Sequence, residues 1–180
     1  MLFHLPKLPS ELRVVHLNQR IEQQRRRIAQ TTLGKLELLQ LTAQLKREAL
    51  ARKKNNQKIF VLDFKGDMNA SAVEQLREEI TLILATAKAG KDRVVLRLES
   101  PGGVVHGYGL AAAQLVRLRD AGFHVTICVD KVAASGGYMM ACIANEIIAA
   151  PFAILGSIGV VAQLPNFNKL LTEHHIDYEV

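Results

Sequence analysis

Cysteine is scarce in this sequence, which holds only Cys128 and Cys142 among its 180 residues. Each lies in an apolar stretch, so we expect both to be small buried hydrophobic residues rather than members of a disulfide framework. No spacing of cysteine and histidine resembles a zinc site. The sequence therefore predicts no metal site and no cofactor.

Aromatic residues are also few, and none lies between Phe3 and Phe60. This part of the chain is strongly basic. Residues 1–58 hold 13 Lys and Arg against 4 Glu, a charge of +9, and residues 59–180 hold 10 against 13 acidic residues, a charge of −3. A basic segment suits nucleic acid or an anionic membrane surface. Because no ring is available to stack on bases, we expect no nucleic-acid partner and favour a solvated or membrane-adjacent helix.

Long uninterrupted apolar runs are missing. The longest apolar stretch, residues 138–164, is broken by Asn145, Glu146 and Pro151, and the N-terminal end soon turns charged. The sequence thus predicts neither a cleavable signal nor a membrane span. We expect the given chain to be soluble or prone to aggregate.

Several catalytic and binding motifs are absent as well. There is no Gly-x-Gly-x-x-Gly and no Walker sequence, so a nucleotide-binding fold would lack its phosphate cradle. Ala133 stands two residues before Ser135, where the Gly-x-Ser-x-Gly turn of α/β-hydrolases has its first glycine. These absences argue against both classes.

A long amphipathic segment opens the chain. From Glu11 to Lys54, leucine and isoleucine recur among Gln, Arg and Lys without a proline, which predicts one long helix weakened at Gly34. We assign residues 1–57 to a basic helical arm or linker. A solvated spacer, a helix that pairs with another copy and a helix on a membrane all fit this periodicity.

Residues 58–180 alternate between strand-like and helix-like patterns. This alternation predicts an α/β domain with a mainly parallel sheet. Ser71 and Glu74 form a capping box before a helix that runs to about Lys88. The predicted strands cover residues 58–64, 93–98 and 124–129, and a further helix covers residues 104–120.

Two strand ends carry small residues suited to catalysis. Within residues 130–138, Ser135 lies in a turn that is either a nucleophile site or only a tight turn. Within residues 100–103, Gly102 is a candidate oxyanion donor together with the amide of Gly136. Because parallel strands end at one edge of a sheet, we expect the two loops to converge on one crevice.

A serine nucleophile needs a base. Among the histidines, His106 lies near the glycine loop, His124 is expected to be structural, and the pair at 174–175 is expected on the surface. A lysine is the other option, although we expect Lys131 to cap a strand end or pair with Asp130.

Three motifs in this order resemble the S49 peptidase family (signal peptide peptidase A / protease IV). They are Leu-Glu-Ser-Pro-Gly-Gly at residues 98–103, Asp-Lys-Val-Ala-Ala-Ser-Gly-Gly-Tyr at 130–138 and Gly-Ser-Ile-Gly-Val at 156–160. Residues 61–66 and 165–168 narrow the resemblance to the inner-membrane serine peptidases of that family. The resemblance covers roughly Lys58 to Val180.

The resemblance implies a ClpP/crotonase-like fold of stacked β-β-α units and a serine endopeptidase that uses a Ser–Lys dyad. It places the nucleophile at Ser135, the oxyanion donors at the Gly102 and Gly136 amides, and the hydroxyl that orients the lysine at Ser157. It also implies peptide substrates bound in extended form, among them membrane-associated or residual signal peptides. Homo-oligomers and inner-membrane association of the parent protein are implied as well.

The chain departs from the family pattern in one respect. Val180 lies 45 residues after Ser135, and the base lysine of single-domain members comes farther along. Lys169 is not at the catalytic position of the motif, and residues 177–180 look like a strand cut short. Loss of one member of a nucleophile–base unit costs about 10⁴–10⁶-fold in rate, so we expect these 180 residues alone to be inactive. A non-catalytic assembly module and a crotonase-type acyl-CoA enzyme stay open as alternatives.

Overall fold

The computed structural model describes residues 13–161 and 166–174. The expectations for His175 and for residues 177–180 lie outside this range. The helices in the described part are α1 Leu17–Thr32, α2 Lys35–Asn55, α3 Val73–Thr86, α4 Val105–Asp120, α5 Gly136–Ala141 and α6 Asn168–Glu173. The strands are β1 Ile59–Lys65, β2 Arg93–Glu99, β3 His124–Val129, β4 Val132–Ala134, β5 Glu146–Ala149 and β6 Ile154–Gly156.

Four strands form a parallel sheet in the order β1-β2-β3-β5. A second, two-stranded parallel sheet is formed by β4 and β6. The chain passes from the large sheet to the small one twice, from β3 to β4 and from β5 to β6, and α5 follows β4 as the helix of a β-β-α unit. The predicted α/β class with a mainly parallel sheet is confirmed.

The core lies on one face of the large sheet. Alternate residues of β2 are buried, namely Val94, Leu96 and Leu98, as expected for a strand covered on one side. Helices α3 and α4 cover this face with Ile80 and Leu115, both fully buried. Each such side chain contributes about 1.5–3 kcal/mol when it leaves water. The opposite face is mixed, with the exposed apolar residues Ile59 and Val61 beside charged ones, and carries an ion pair.

That ion pair joins neighbouring strands across the exposed face. Asp63 and Arg97 are register partners in β1 and β2. Arg97 donates from Nε to Oδ1 at 2.5 Å and from Nη2 to Oδ2 at 2.6 Å. The two bonds form the planar fork that arginine and carboxylate favour. The hydrogen bonds with Asp63 raise the pKa of Arg97.

The basic arm is a helical hairpin, so the prediction of one long helix is wrong. Leu33 and Gly34 both have extended backbones and end the helix, and the Gly34 N–H donates to Glu37 at 3.1 Å as the next helix begins. Ala29 and Leu45 are buried where α1 and α2 meet. The break lies at Gly34, the position where the sequence predicted a weakening, although the hydrophobic periodicity did not predict that the helix ends there.

Ion pairs fasten the two helices of the hairpin to each other. Arg52 lies 2.9 Å from Glu22, and Arg25 lies 3.7 Å from Glu48. Such exposed pairs contribute little individually, so the burial of apolar residues such as Ala29 and Leu45 matters more for holding the hairpin together. The proposed arm boundary at residue 57 stays a prediction. No helix in the described part of the chain has the length and apolar character to cross a membrane.

Two local expectations are wrong, and a third, that Lys131 caps a strand end or pairs with Asp130, is wrong only in its second alternative. Ser71 does not cap α3, whose N-cap is Ala72; the Ser71 hydroxyl donates instead to Asp67 at 2.6 Å. Cys142 is exposed and Cys128 half-buried, because Cys142 ends α5 at a surface that no described element covers. A third difference concerns Lys131, which donates to Glu99 at 3.1 Å rather than pairing with Asp130.

Candidate active site

The small sheet brings three loops to one place. The N–H of Ser100, just after β2, donates to Val132 at 2.9 Å, and the N–H of Ala134 donates back to Ser100 at 3.0 Å. On its other side β4 pairs with β6, so that Ala134 is the register partner of Gly156. The ends of β2, β4 and β6 therefore lie side by side, and the predicted convergence of the Gly102 and Ser135 loops is confirmed.

Ser135 occupies a constrained turn between β4 and α5. Its backbone has φ 51° and ψ −120°, which a residue with a side chain rarely adopts. Its N–H donates to the carbonyl of Gly156 at 2.8 Å, and its carbonyl accepts from Met139 at 2.9 Å. Residues in such conformations cost about 1–3 kcal/mol and cluster at functional sites. The half-buried side chain is held at the start of α5.

Gly102 lies directly against the Ser135 turn. Its φ is +90°, and a Cβ added there would lie 2.5 Å from the Ser135 Cβ and 3.0 Å from the Gly136 nitrogen. A side chain at position 102 is therefore excluded both by conformation and by space. The Gly102 N–H donates to the Ser100 hydroxyl at 3.1 Å. Gly136 is the first residue of α5, and an N–H at that position has no acceptor within the helix.

Sequence reasoning missed a buried hydrogen-bond chain beneath this site. The hydroxyls of Ser100 and Tyr108 are 2.7 Å apart, and the Tyr108 hydroxyl donates to the Asp67 carbonyl at 2.7 Å. Because tyrosine has one hydroxyl proton, Ser100 must donate to Tyr108 while it accepts from Gly102. The series of hydrogen bonds thus runs from Gly102 through Ser100 and Tyr108 to Asp67. Burial raises the pKa of Tyr108, and the Ser100 hydrogen bond opposes that rise.

Tyr108 also sets the spacing of the loops around it. A Cβ at Gly136 would collide with the Tyr108 ring, and one at Gly66 would collide with its hydroxyl. A Cβ at Gly137 would lie 2.8 Å from the Ser100 carbonyl oxygen. The glycines themselves were the sequence signal for these close contacts. Nothing in the sequence identified Tyr108 as the side chain that Gly136 and Gly66 accommodate.

Ser157 follows Gly156 at the end of β6. It also has a positive φ, 55°, and its side chain is exposed. Since Ala134 pairs with Gly156, the next residues along these two strands are Ser135 and Ser157. The structure therefore brings Ser157 beside the Ser135 turn, at the carboxyl ends of the two strands of the small sheet.

None of the described lysine and histidine side chains is hydrogen-bonded to Ser135. His106 is exposed on α4, and Lys169 is exposed on α6. His124 is partly exposed at the start of β3, 3.9 Å from Glu146. His174 is exposed, as expected. Within the ranges that the structure describes, no group of acidic, histidine and cysteine side chains is arranged to hold a metal ion.

Comparison with protein families gives two adjoining matches. The family model for the N-terminal region of peptidase family S49 matches residues 6–115, and the model for peptidase family S49 matches residues 117–180. Together they contain all three motifs from which the family resemblance was drawn.

Individual relatives are described as probable proteases. The chain is 49% identical over 98% of its length to a probable protease SohB of Buchnera aphidicola subsp. Schlechtendalia chinensis, and the match covers 63% of that protein. It is 61% identical over 68% of its length to a probable protease SohB of Haemophilus influenzae, covering 34% of it. The chain therefore spans between about one third and just under two thirds of these relatives. Among solved structures, a mutant of ClpP1 from Listeria monocytogenes matches 53% of this chain and 51% of its own, with 15% identity and a TM-score of 0.34.

Proposed function

Because this chain belongs to peptidase family S49, we propose that it forms part of a serine peptidase in which Ser135 is the nucleophile. The observation that carries the proposal is the Ser135 turn itself, strained at φ 51° and enclosed by Gly102 and by the end of β6. No other serine of the described chain combines these features.

The chemistry follows from the groups around the turn. The Ser135 hydroxyl attacks the carbonyl carbon of the scissile peptide bond while a base takes its proton. The carbonyl oxygen becomes an oxyanion; when it collapses, the C–N bond breaks and the amine leaves with the proton that the base returns, which leaves an ester on Ser135. Water, deprotonated by the same base, then attacks this ester, and the acid product leaves as Ser135 regains its proton. The N–H of Gly136, free of any helical acceptor, is available to stabilise the oxyanion.

Gly102 is proposed as the second oxyanion donor, with one condition. Its N–H donates to Ser100, so it must share or change that bond when an oxyanion forms. The next N–H along, that of Gly103, has no hydrogen-bond acceptor among the described residues and is proposed as the alternative donor. The buried Ser100–Tyr108 pair holds this loop in either case.

The base is proposed to be a lysine, and the Ser157 hydroxyl is proposed to orient it. Ser157 lies beside the Ser135 turn, where a third group that positions a base is required. None of the described lysines contacts Ser135, so we expect residues 1–180 alone to lack turnover. A crotonase-type acyl-CoA enzyme and a non-catalytic assembly module have no specific observation in their favour.

The substrate is proposed to be a peptide in extended form, drawn from membrane-associated or residual signal peptides. Strand β6 has no partner on its outer side among the described residues, so an extended peptide has an edge to pair with. All residues of β5 are exposed, which leaves the large sheet open for assembly with further copies.

Hydrolysis of a fluorogenic peptide library by the whole protein tests the proposal. Ser135→Ala is expected to lower kcat/KM by about 10⁴–10⁶-fold, because it removes one member of the catalytic unit. Thr86→Ala is the control, since the exposed Thr86 hydroxyl bonds only to the Leu82 carbonyl of its own helix, outside the three loops. Retention of activity in Ser135→Ala would contradict the assignment.

A further inference from the structure

Helix α2 is apolar on two sides, and α1 covers only one of them. Leu45 is fully buried and Leu38 and Leu41 are half-buried where α2 meets α1. Leu36, Leu39 and Leu50 point elsewhere and are 72%, 67% and 69% exposed. Their spacing of 3 and 11 residues places all three on one side of the helix. A helix with two apolar sides normally buries both, so this second side lacks its partner.

The charges beside these leucines are all positive. Lys46, Lys53 and Lys54 fall on the same side by helical spacing, and each is exposed and free of ion pairs among the described residues. The acidic residues of α2 are used elsewhere: Glu37 accepts from the Gly34 N–H, and Glu48 pairs with Arg52. We call Leu36, Leu39, Leu50, Lys46, Lys53 and Lys54 the outer face of α2. Its partner must be apolar in part and negatively charged.

A second copy of the same face does not meet this requirement. Lys46 and Lys53 follow Leu39 at intervals of seven residues and therefore lie on the same side of the helix. Two such faces in contact would bring these like charges together. A protein partner is also disfavoured by composition, because protein interfaces are depleted in lysine and enriched in the aromatic residues that this face lacks. An anionic bilayer fits better. Leucines enter the acyl boundary, while lysines extend their stems to reach the headgroups.

We propose that the outer face of α2 lies on the surface of an anionic phospholipid bilayer. The leucines supply apolar contact, and each lysine adds attraction to anionic headgroups. The face is separate from Ser135, and the proposal holds or fails independently of the peptidase proposal. It also chooses among the three interpretations that the sequence left open for the arm.

Vesicle co-sedimentation of the 180-residue chain tests this inference. We expect binding to vesicles of phosphatidylcholine with phosphatidylglycerol and little binding to phosphatidylcholine alone. Replacing Lys46, Lys53 and Lys54 together by Gln should weaken binding by about fivefold per charge removed. The control changes Lys65, Lys88 and Lys91 to Gln, which alters net charge equally on residues outside the arm.

The leucines have their own variants. Leu36→Gln, Leu39→Gln and Leu50→Gln in one variant keep good helix propensity and should abolish binding. Leu82→Gln, at an exposed leucine of α3, should not. Circular dichroism establishes that each variant keeps its helix content. Equal binding to both vesicle types, or equal loss in the controls, would overturn the inference. Sedimentation velocity without lipid is the last check: self-association that depends on these leucines would assign the face to a second copy instead.

Discussion

The N–H of Ser135 donates to the carbonyl of Gly156 at 2.8 Å, which fixes the candidate nucleophile beside the end of β6. Ser157 is the next residue along that strand. Two serines with positive φ thus lie side by side at the carboxyl ends of β4 and β6, although they are far apart in sequence. The proposed catalytic roles of both serines depend on this relationship.

Ser157→Ala should lower kcat of the whole protein about 10²-fold, because a base that is not held in register transfers protons poorly. KM should change little, since the exposed hydroxyl is proposed to contact the base rather than the substrate. Steady-state kinetics with a fluorogenic peptide measures both constants. If kcat matches that of the Thr86→Ala control, Ser157 has no role in orienting the base.

Tyr108→Phe should destabilise the domain by about 1–3 kcal/mol. The change leaves the buried Ser100 hydroxyl without its acceptor, and it removes the donor to the Asp67 carbonyl, whose bond is partly buried. Urea unfolding gives the free energy, and Tyr138→Phe, on half-exposed Tyr138, is the control. Equal losses in the free energy of unfolding would show that the buried Tyr108 hydroxyl contributes no more to stability than the hydroxyl of Tyr138.

Gly136→Ala and Gly109→Ala should have opposite effects on stability. A Cβ at Gly136 meets the Tyr108 ring, so overpacking should cost about 1–3 kcal/mol or more. Gly109 lies inside α4 with open space around it, so alanine should stabilise by about 0.5–1 kcal/mol. Thermal unfolding of both variants decides the matter, and a tolerated Gly136→Ala would contradict the packing described here.

Asp92 should stabilise the fold in a pH-dependent way. Backbone N–H groups of Lys88 and Lys58 donate to its carboxylate at 2.9 Å each, and these bonds lower its pKa. A lowered pKa in the folded state means that the contribution is complete above the unfolded pKa of about 4 and is lost as pH falls through the folded value.

Asp92→Asn tests this contribution. The free energy of unfolding should fall at neutral pH, and the difference from the unmodified chain should shrink as the solution is made more acidic. Unfolding in urea across this pH range measures the difference. A gap that stays constant with pH would mean that the charge of Asp92 is not involved.

Local patterns predicted the elements well where packing and pattern agree. The β-branched run at β3 gave the observed bounds, and α4 was predicted to within one residue. The turn around Ser135 and its convergence with Gly102 also followed from sequence, because strand ends in a parallel sheet share an edge.

Other features depended on contacts that no local pattern contains. Ser71, which the sequence predicted to cap a helix, donates a hydrogen bond instead to Asp67, four residues before it. Glu99 attracts Lys131 from an adjacent strand end. The Ser100–Tyr108 pair needs the loop and α4 to be packed together before either hydroxyl is buried. In each case the hydrogen bond that forms was determined by a partner distant in sequence or by one that competes with the expected partner.

Covalent labelling tests the central assignment most directly. The whole protein is treated with a fluorophosphonate, which phosphonylates activated serines, and the labelled peptide is identified by mass spectrometry. We expect one modified serine, Ser135, with no label in Ser135→Ala and little in residues 1–180 alone. Labelling at another serine, or equal labelling in Ser135→Ala, would contradict the account.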